Sequence, residues 1–186
     1  MNYEAVVLGV SAGGLKALTT LFTELRDSFK LPVLLVQHLH AHSDDYLVRH
    51  LAAVTKMTIK EADEKERIRK NTVYIAPPNY HMLVEDDRTI SLTIDERVNF
   101  CRPSVDVLFE TAVEAYKKKL IGIILTGANE DGARGMWLVH KAGGTTIIQS
   151  PDSAEVDTMP RSVLKYFRPD YIFNLNEIAR FLNKIG

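Results

Sequence analysis

Three short apolar runs constrain the fold more than anything else in this chain. Ala5–Val10, Val33–Gln37 and Leu120–Leu125 are nearly continuous in valine, isoleucine and leucine, with no alternation of polar and apolar residues. A strand that is apolar on both faces must be covered on both faces, the condition of a parallel sheet between helices. Segments of helical spacing lie between them. Leu15, Leu18, Phe22 and Leu25 form one stripe, and Tyr46–Thr55 reads as a modest helix. Pro103 and Ser104 open another that runs to about Lys118, with Val105, Leu108, Phe109 and Ala112 on one face. Gly132–Ala142 is a further helix that stops at Gly143-Gly144. Val73–Ala76 and Thr145–Gln149 read as strands, and Ser162–Tyr166 and Glu177–Ile185 as helices.

Residues 80–98 depart from this rhythm. His81–Val84 and Thr89–Ile94 flank the polar Glu85-Asp86-Asp87-Arg88, which predicts an antiparallel hairpin. The expected fold is therefore α/β: a doubly wound, mainly parallel sheet with helices on both faces and an antiparallel hairpin near 80–98. No repeat, low-complexity tract or linker interrupts residues 1–186, so a single domain is expected.

The 186 residues suffice for a substantial core without staples. A formal net charge of -1 gives no bulk attraction to nucleic acid or anionic membrane, so neither is expected as a partner. The single cysteine, Cys101, excludes an intrachain disulfide and fits a reducing compartment. Ala5–Val10 is too short for a signal-peptide core, and no apolar run approaches the roughly 18 residues of a membrane span. A cytoplasmic protein without direct membrane insertion is expected.

Open parallel sheets bind ligands beyond the carboxyl ends of their strands, so the loops after the strands carry the functional reading. The first is Gly9-Val10-Ser11-Ala12-Gly13-Gly14, a G-x-S-x-G turn that projects a serine hydroxyl near a helix N-terminus. The same turn also reads as a phosphate-binding glycine loop, although Ser11 stands where the middle glycine of G-x-G-x-x-G belongs and no Walker lysine follows. The second loop begins at His38, a structural residue or, beside Ser11, a general base. The third holds Asp131, a helix N-cap ahead of Gly132-Ala133 or the carboxylate that orients the histidine. Asp44 and Asp45 rival it but fall outside the strand-exit loops. The order Ser, His, Asp differs from the Ser, Asp, His of α/β-hydrolases.

Taken in order along nearly the whole chain, these segments resemble the catalytic domain of the chemotaxis protein-glutamate methylesterases, the CheB type. The resemblance rests on Gly9–Gly14, Val36-Gln37-His38, Tyr74-Ile75-Ala76-Pro77-Pro78 and His81-Met82. It continues through Arg102-Pro103-Ser104-Val105-Asp106, Leu125-Thr126-Gly127, Asp131-Gly132-Ala133 and Met159-Pro160-Arg161. It implies a serine hydrolase acting on γ-methyl esters of glutamate on receptor signalling helices, with release of methanol and, in some members, deamidation of glutamine. The catalytic triad it implies is Ser11, His38 and Asp131. Ala128 and Ala12 would supply oxyanion N–H groups beside Gly13, and Arg102, Met159 and Arg161 would line or support the cleft. No metal and no organic cofactor is implied. The implied partners are methylated chemoreceptor-like helices, with a separate response regulator or a methyltransferase as further candidates.

This chain departs from the family pattern at several positions. Ala12 stands where the family usually has Thr, Ala128 where it has Met, Cys101 where it often has His, and Thr158 where Gly is common. Family members usually carry a phospho-accepting receiver domain ahead of this one. This chain opens on Met1 four residues before its first strand, so a stand-alone catalytic domain without a receiver is expected.

Other function classes compete with a serine hydrolase. His38, His40 and His42 alternate, with Asp44 nearby, which suggests a metal-dependent hydrolase, but His42 stands where the H-x-H-x-D-H pattern requires Asp. A binding module that kept the fold and lost catalysis would accommodate Ala12 and Ala128. A nucleotide binder would need an acidic ribose-binding residue about 20 positions past the glycine turn, where Glu24 lies in a helix instead.

Overall fold

A computed structural model describes residues 2–38 and 45–186. The first strand, β1 (Ala5–Val10), runs through the middle of a seven-stranded sheet and pairs in parallel with β2 (Val33–Gln37) on one side and β7 (Leu120–Ile124) on the other. Beyond β2 lie β4 (Thr72–Ile75) and the edge strand β3 (Thr58–Glu61); beyond β7 lie β8 (Thr145–Gln149) and the edge strand β9 (Tyr171–Phe173). Every pairing in this sheet is parallel. The chain winds outward in one direction from β1 and later in the other from β7, so a crevice opens between the carboxyl ends of those two strands.

Alternation along β1 divides the core. Val6, Leu8 and Val10 meet α1 (Gly14–Glu24), α2 (Tyr46–Ala52) and α6 (Leu175–Ile185) through Leu18, Phe22, Leu51, Ile178 and Leu182. Ala5 and Val7 face the opposite layer, where α3 (Val105–Tyr116), α4 (Ala133–Lys141) and α5 (Thr158–Tyr166) contribute Leu108, Phe109, Met136, Val139 and Val163. The antiparallel hairpin of β5 (His81–Val84) and β6 (Ile90–Thr93) closes over α3, where Val84 N–H donates to Thr111 Oγ1 at 3.0 Å. The doubly wound sheet, the helices on both faces and the hairpin are as the sequence predicts.

The differences have local causes. The strands β3 and β9 escape the sequence because they are edges: β3 (Thr58–Glu61) is partly exposed and of mixed polarity, and β9 is only the three residues Tyr171–Phe173, too short to stand out as a strand. Helix α5 starts at Thr158 rather than Ser162, because Pro160 lies in its first turn, where a missing N–H leaves no bond unmade. Helix α2 stops at Ala52 rather than Thr55, with only Leu47 and Leu51 buried. Helix α3 is capped by Ser104, and Pro103 precedes the cap instead of opening the helix. Among the described residues, no helix is long and apolar enough to cross a membrane.

Candidate active site

Register brings Ser11 and His38 together. Val10 is paired with Gln37, so the residues that follow them leave β1 and β2 side by side. The His38 N–H donates to Val10 O at 3.2 Å, and the Ser11 N–H donates to Thr126 O beyond β7 at 3.0 Å. Gln37 fastens the two exits, its amide donating to Ser11 O at 3.0 Å and to His38 O at 3.1 Å. Thr126 Oγ1 does the same on the other side, donating to Ala12 O at 2.8 Å. Gly13, at φ 78, supplies the left-handed turn that starts α1 immediately after the serine.

Asp131 follows β7 and is buried, with 1% of the residue exposed. Gly132 is the N-cap residue of helix α4, and no side chain caps that helix end. The Asp131 carboxylate crosses instead to the N-terminus of α3. Oδ2 accepts the Val105 N–H at 2.6 Å and His38 Nε2–H at 2.8 Å; Oδ1 accepts Ser104 Oγ at 2.8 Å, the Asp106 N–H at 3.2 Å and Asn99 Nδ2 at 3.2 Å. A helix N-terminus carries partial positive charge and unpaired N–H groups, so the carboxylate sits where an anion is favoured. Burial pushes the Asp131 pKa up, but the hydrogen bonds from His38, Val105 and Ser104 and the charge of His38 outweigh it and hold the carboxyl below its ordinary range. Buried His81 braces the same helix end: its Nδ1 accepts the Ser104 N–H at 3.1 Å and its Nε2–H donates to Glu96 O at 3.0 Å.

With Nε2 committed to Asp131, the free nitrogen of His38 is Nδ1. Asn129 Nδ2 donates to it at 3.1 Å, and the amide is turned that way because its Oδ1 accepts the Asp131 N–H at 3.1 Å. Burial disfavours the charged imidazole, but hydrogen bonding and electrostatic attraction from Asp131 and Cys101 outweigh it and raise the pKa from 6.5 to about 9. The Asn129 N–H opposes that rise, because it can donate only to the neutral ring. The Ser11 hydroxyl is half-buried and makes no hydrogen bond to a described residue.

The remaining residues expected at the site fall into two groups. The N–H groups of Ala12 and Ala128 flank Ser11 and Thr126-Gly127 and make no hydrogen bond to a described residue. Buried Met159 packs on Gly127, and its N–H donates to Gly127 O at 3.0 Å. Arg102 staples the hairpin exit, donating to Ile94 O at 2.7 Å, Asp95 O at 2.9 Å and Asn79 Oδ1 at 2.9 Å. Arg161 is exposed and paired with Asp157 one turn away. Asp45 precedes α2 and pairs with Arg49 at 2.7 Å, whereas His40, His42 and Asp44 lie outside the described residues.

Sequence reasoning missed Asn99, Asn129, Gln37 and Asp106. Asn99 and Phe100, at φ 50 and 63, form the two-residue turn between bridged Val98 and Cys101, a turn that ordinarily signals itself with glycine. Asn99 Nδ2 links Asp131 to Asp106 Oδ2 at 2.9 Å, and Asp106 Oδ1 accepts the Gly135 N–H at 2.7 Å. Burial, reinforced by the charge of Asp131, raises the Asp106 pKa to about 6 against the hydrogen bond from Gly135. Gln37 alone left a signal, a polar side chain ending an otherwise apolar strand.

A half-buried serine on a tight turn, a histidine anchored to a buried carboxylate and two free N–H groups at one sheet edge form a constellation suited to acyl transfer. The comparisons agree with it. The family model described as CheB methylesterase matches residues 6–182. The crystal structure of the Thermotoga maritima CheB methylesterase catalytic domain superposes with a TM-score of 0.94 at 31% identity, covering 100% of both chains. A Leptospira interrogans protein provisionally named protein-glutamate methylesterase/protein-glutamine glutaminase is 50% identical over 100% of this chain and 96% of its own length. The full-length Thermotoga maritima protein of the same name is 34% identical, and the match covers 96% of this chain and 53% of that protein. Sequence, fold and site geometry thus converge on one assignment: the chain belongs to the CheB methylesterase family, a family of hydrolases.

Proposed function

We propose that the chain hydrolyses γ-methyl esters of glutamate on chemoreceptor-like helices by a Ser11, His38 and Asp131 triad. Ser11 Oγ attacks the ester carbonyl while His38 Nδ1 takes its proton. Asp131 holds the Nε2–H tautomer and stabilises the imidazolium as it forms. The N–H groups of Ala12 and Ala128 receive the oxyanion; one such donor is worth about 2.7–4 kcal/mol, or roughly 10²–10³ in rate. Methanol leaves with the proton from His38. Water, deprotonated by the same nitrogen, then cleaves the acyl-serine to glutamate and free Ser11. A primary amide at the same position would lose ammonia by the same steps, the glutaminase reaction. A cytoplasmic setting, with a response regulator or methyltransferase as partner, fits this substrate.

The observation that carries the reading is the His38 Nε2 to Asp131 Oδ2 hydrogen bond of 2.8 Å at the sheet edge where Ser11 emerges. The test is methanol release from a γ-methylated receptor peptide by wild type and Ser11→Ala. Loss of turnover with an unchanged circular dichroism spectrum is expected; full turnover by the variant would refute the mechanism. Unchanged wild-type turnover after chelation would separate this reading from a metal-dependent hydrolase.

A further inference from the structure

Two soft acceptors converge on one donor beside His38. The Asn129 amide nitrogen reaches His38 Nδ1 at 3.1 Å and Cys101 Sγ at 3.5 Å. A ring nitrogen of His38, the Cys101 sulfur and a carboxylate oxygen of Asp131 all lie within 4.8 Å of one another. Imidazole and thiolate are zinc ligands, and a carboxylate on the far ring nitrogen is the usual outer partner of a metal-bound histidine. Asp131 already fills that outer position through Nε2 and accepts five hydrogen bonds in all, so it has no lone pair to spare as a ligand.

The distances suit a tetrahedral cation. Bonds of about 2.3 Å to sulfur and about 2.0–2.1 Å to nitrogen place those two atoms roughly 3.6 Å apart. A ring nitrogen of His38 and Cys101 Sγ lie within 4.8 Å, and Nδ1 and Sγ both face the Asn129 amide nitrogen, so closure asks for side-chain movement on the order of an ångström. Cys101 can supply it, because it is half-buried and ends the exposed two-residue turn at Asn99 and Phe100, the latter 94% exposed.

We propose that a thiophilic divalent cation of the zinc class binds between His38 Nδ1 and Cys101 Sγ, displaces the Asn129 amide, and inhibits the enzyme. The Cys101 proton passes to solvent, and water completes the coordination. The bound cation occupies the lone pair that would take the Ser11 proton. The inhibitory consequence rests on the proposed role of His38; the binding site itself does not.

Cobalt(II) and zinc(II) titrations of the full chain test this, because cobalt bound to thiolate absorbs in the near ultraviolet and Cys101 is the single cysteine. Wild type should show the cobalt-thiolate band, zinc should abolish it by displacement, and ester hydrolysis should fall with zinc and return with chelator. In Cys101→Ser the band should be missing, and half-inhibition should need at least tenfold more zinc, each protein being referred to its own metal-free rate. Asn129→Ala, lacking the competing amide, should bind cobalt at least as tightly as wild type. Absence of the band in wild type, equal zinc sensitivity in Cys101→Ser, or weaker cobalt binding in Asn129→Ala would overturn the proposal. A wild type without metal-free esterase activity would refute the functional reading instead, leaving the cobalt band to decide the site.

Discussion

Asp131 follows β7 in sequence, yet its Oδ2 accepts the backbone N–H of Val105 at 2.6 Å, at the start of a helix 26 residues earlier. The carboxylate thus joins the crevice between β1 and β7 to α3. Asp131→Asn would place an amide among five donors, so at least one N–H would face another. Stability should fall by roughly 1.5–3 kcal/mol, the scale of a hydrogen bond to a charged group, in urea unfolding. Turnover should fall on the order of 10⁴-fold, because the asparagine no longer holds the Nε2–H tautomer. Combined with Ser11→Ala, the loss should be no larger than for Ser11→Ala alone.

His38 should impose a strongly basic pH profile. A base with a pKa of about 9 is neutral in only about 1% of molecules at pH 7, so kcat/KM should climb nearly tenfold per pH unit from 7 towards 9. Cys101 is among the groups that raise this pKa, so Cys101→Ala should move the rising limb to lower pH. Stability runs the other way. The raised folded-state pKa contributes stability that is fully present below about 6.5 and is lost as pH rises through about 9. Activity should therefore grow over the pH range in which thermal unfolding shows the His38 contribution disappearing.

Asp106 supplies a second linkage of opposite residue type but the same sign. Its pKa is raised from 3.8 to about 6, so the folded state favours the protonated acid. The associated stability is fully present below about 3.8 and is lost as pH rises through about 6. Asp106→Asn cannot ionise. The difference in unfolding free energy between wild type and this variant should therefore shift against wild type from pH 4 to pH 6 and then level off. A pH-independent difference would show that Asp106 does not titrate in that range.

How much of this was legible depended on which contacts are local. The central strands announced themselves because burial on both faces demands uninterrupted apolar runs, and the loops after β1, β2 and β7 followed from sheet topology. The edges β3 and β9 carry no such demand. The proposed triad of Ser11, His38 and Asp131 could be read because each residue sits at a strand exit. The partner of Asp131 could not: a good N-cap signal ahead of α4 pointed to the wrong helix, since a carboxylate one residue before a helix reads the same whether it turns inward or crosses to another element. Asn99 and Asn129 were invisible for a related reason. Each is an ordinary loop asparagine until the hairpin exit, the start of α3 and the β7 loop are brought together, and only then do their amides meet Asp131 and His38.

The backing of the nucleophile offers a steric test. A Cβ at Gly127 would lie 1.9 Å from Met159 Sδ, 2.7 Å from Met159 Cγ and 3.0 Å from Ser11 Cβ. The methionine end is flexible, but it is 1% exposed and has little room to retreat, while Gly127 is tied on both sides through Val156 O at 2.9 Å and the Met159 N–H at 3.0 Å. Gly127→Ala should therefore cost about 1–3 kcal/mol, as overpacking does, and push on Ser11 directly. Turnover should drop more than substrate affinity, because the hydroxyl is displaced relative to His38 while the rest of the cleft persists. Met159→Ala removes the nearer clash but leaves the Ser11 contact. The double variant should regain most of the stability and only part of the turnover, read by urea melts and by kcat. Equal recovery of both would mean that Gly127 matters for packing alone and has no part in placing the serine.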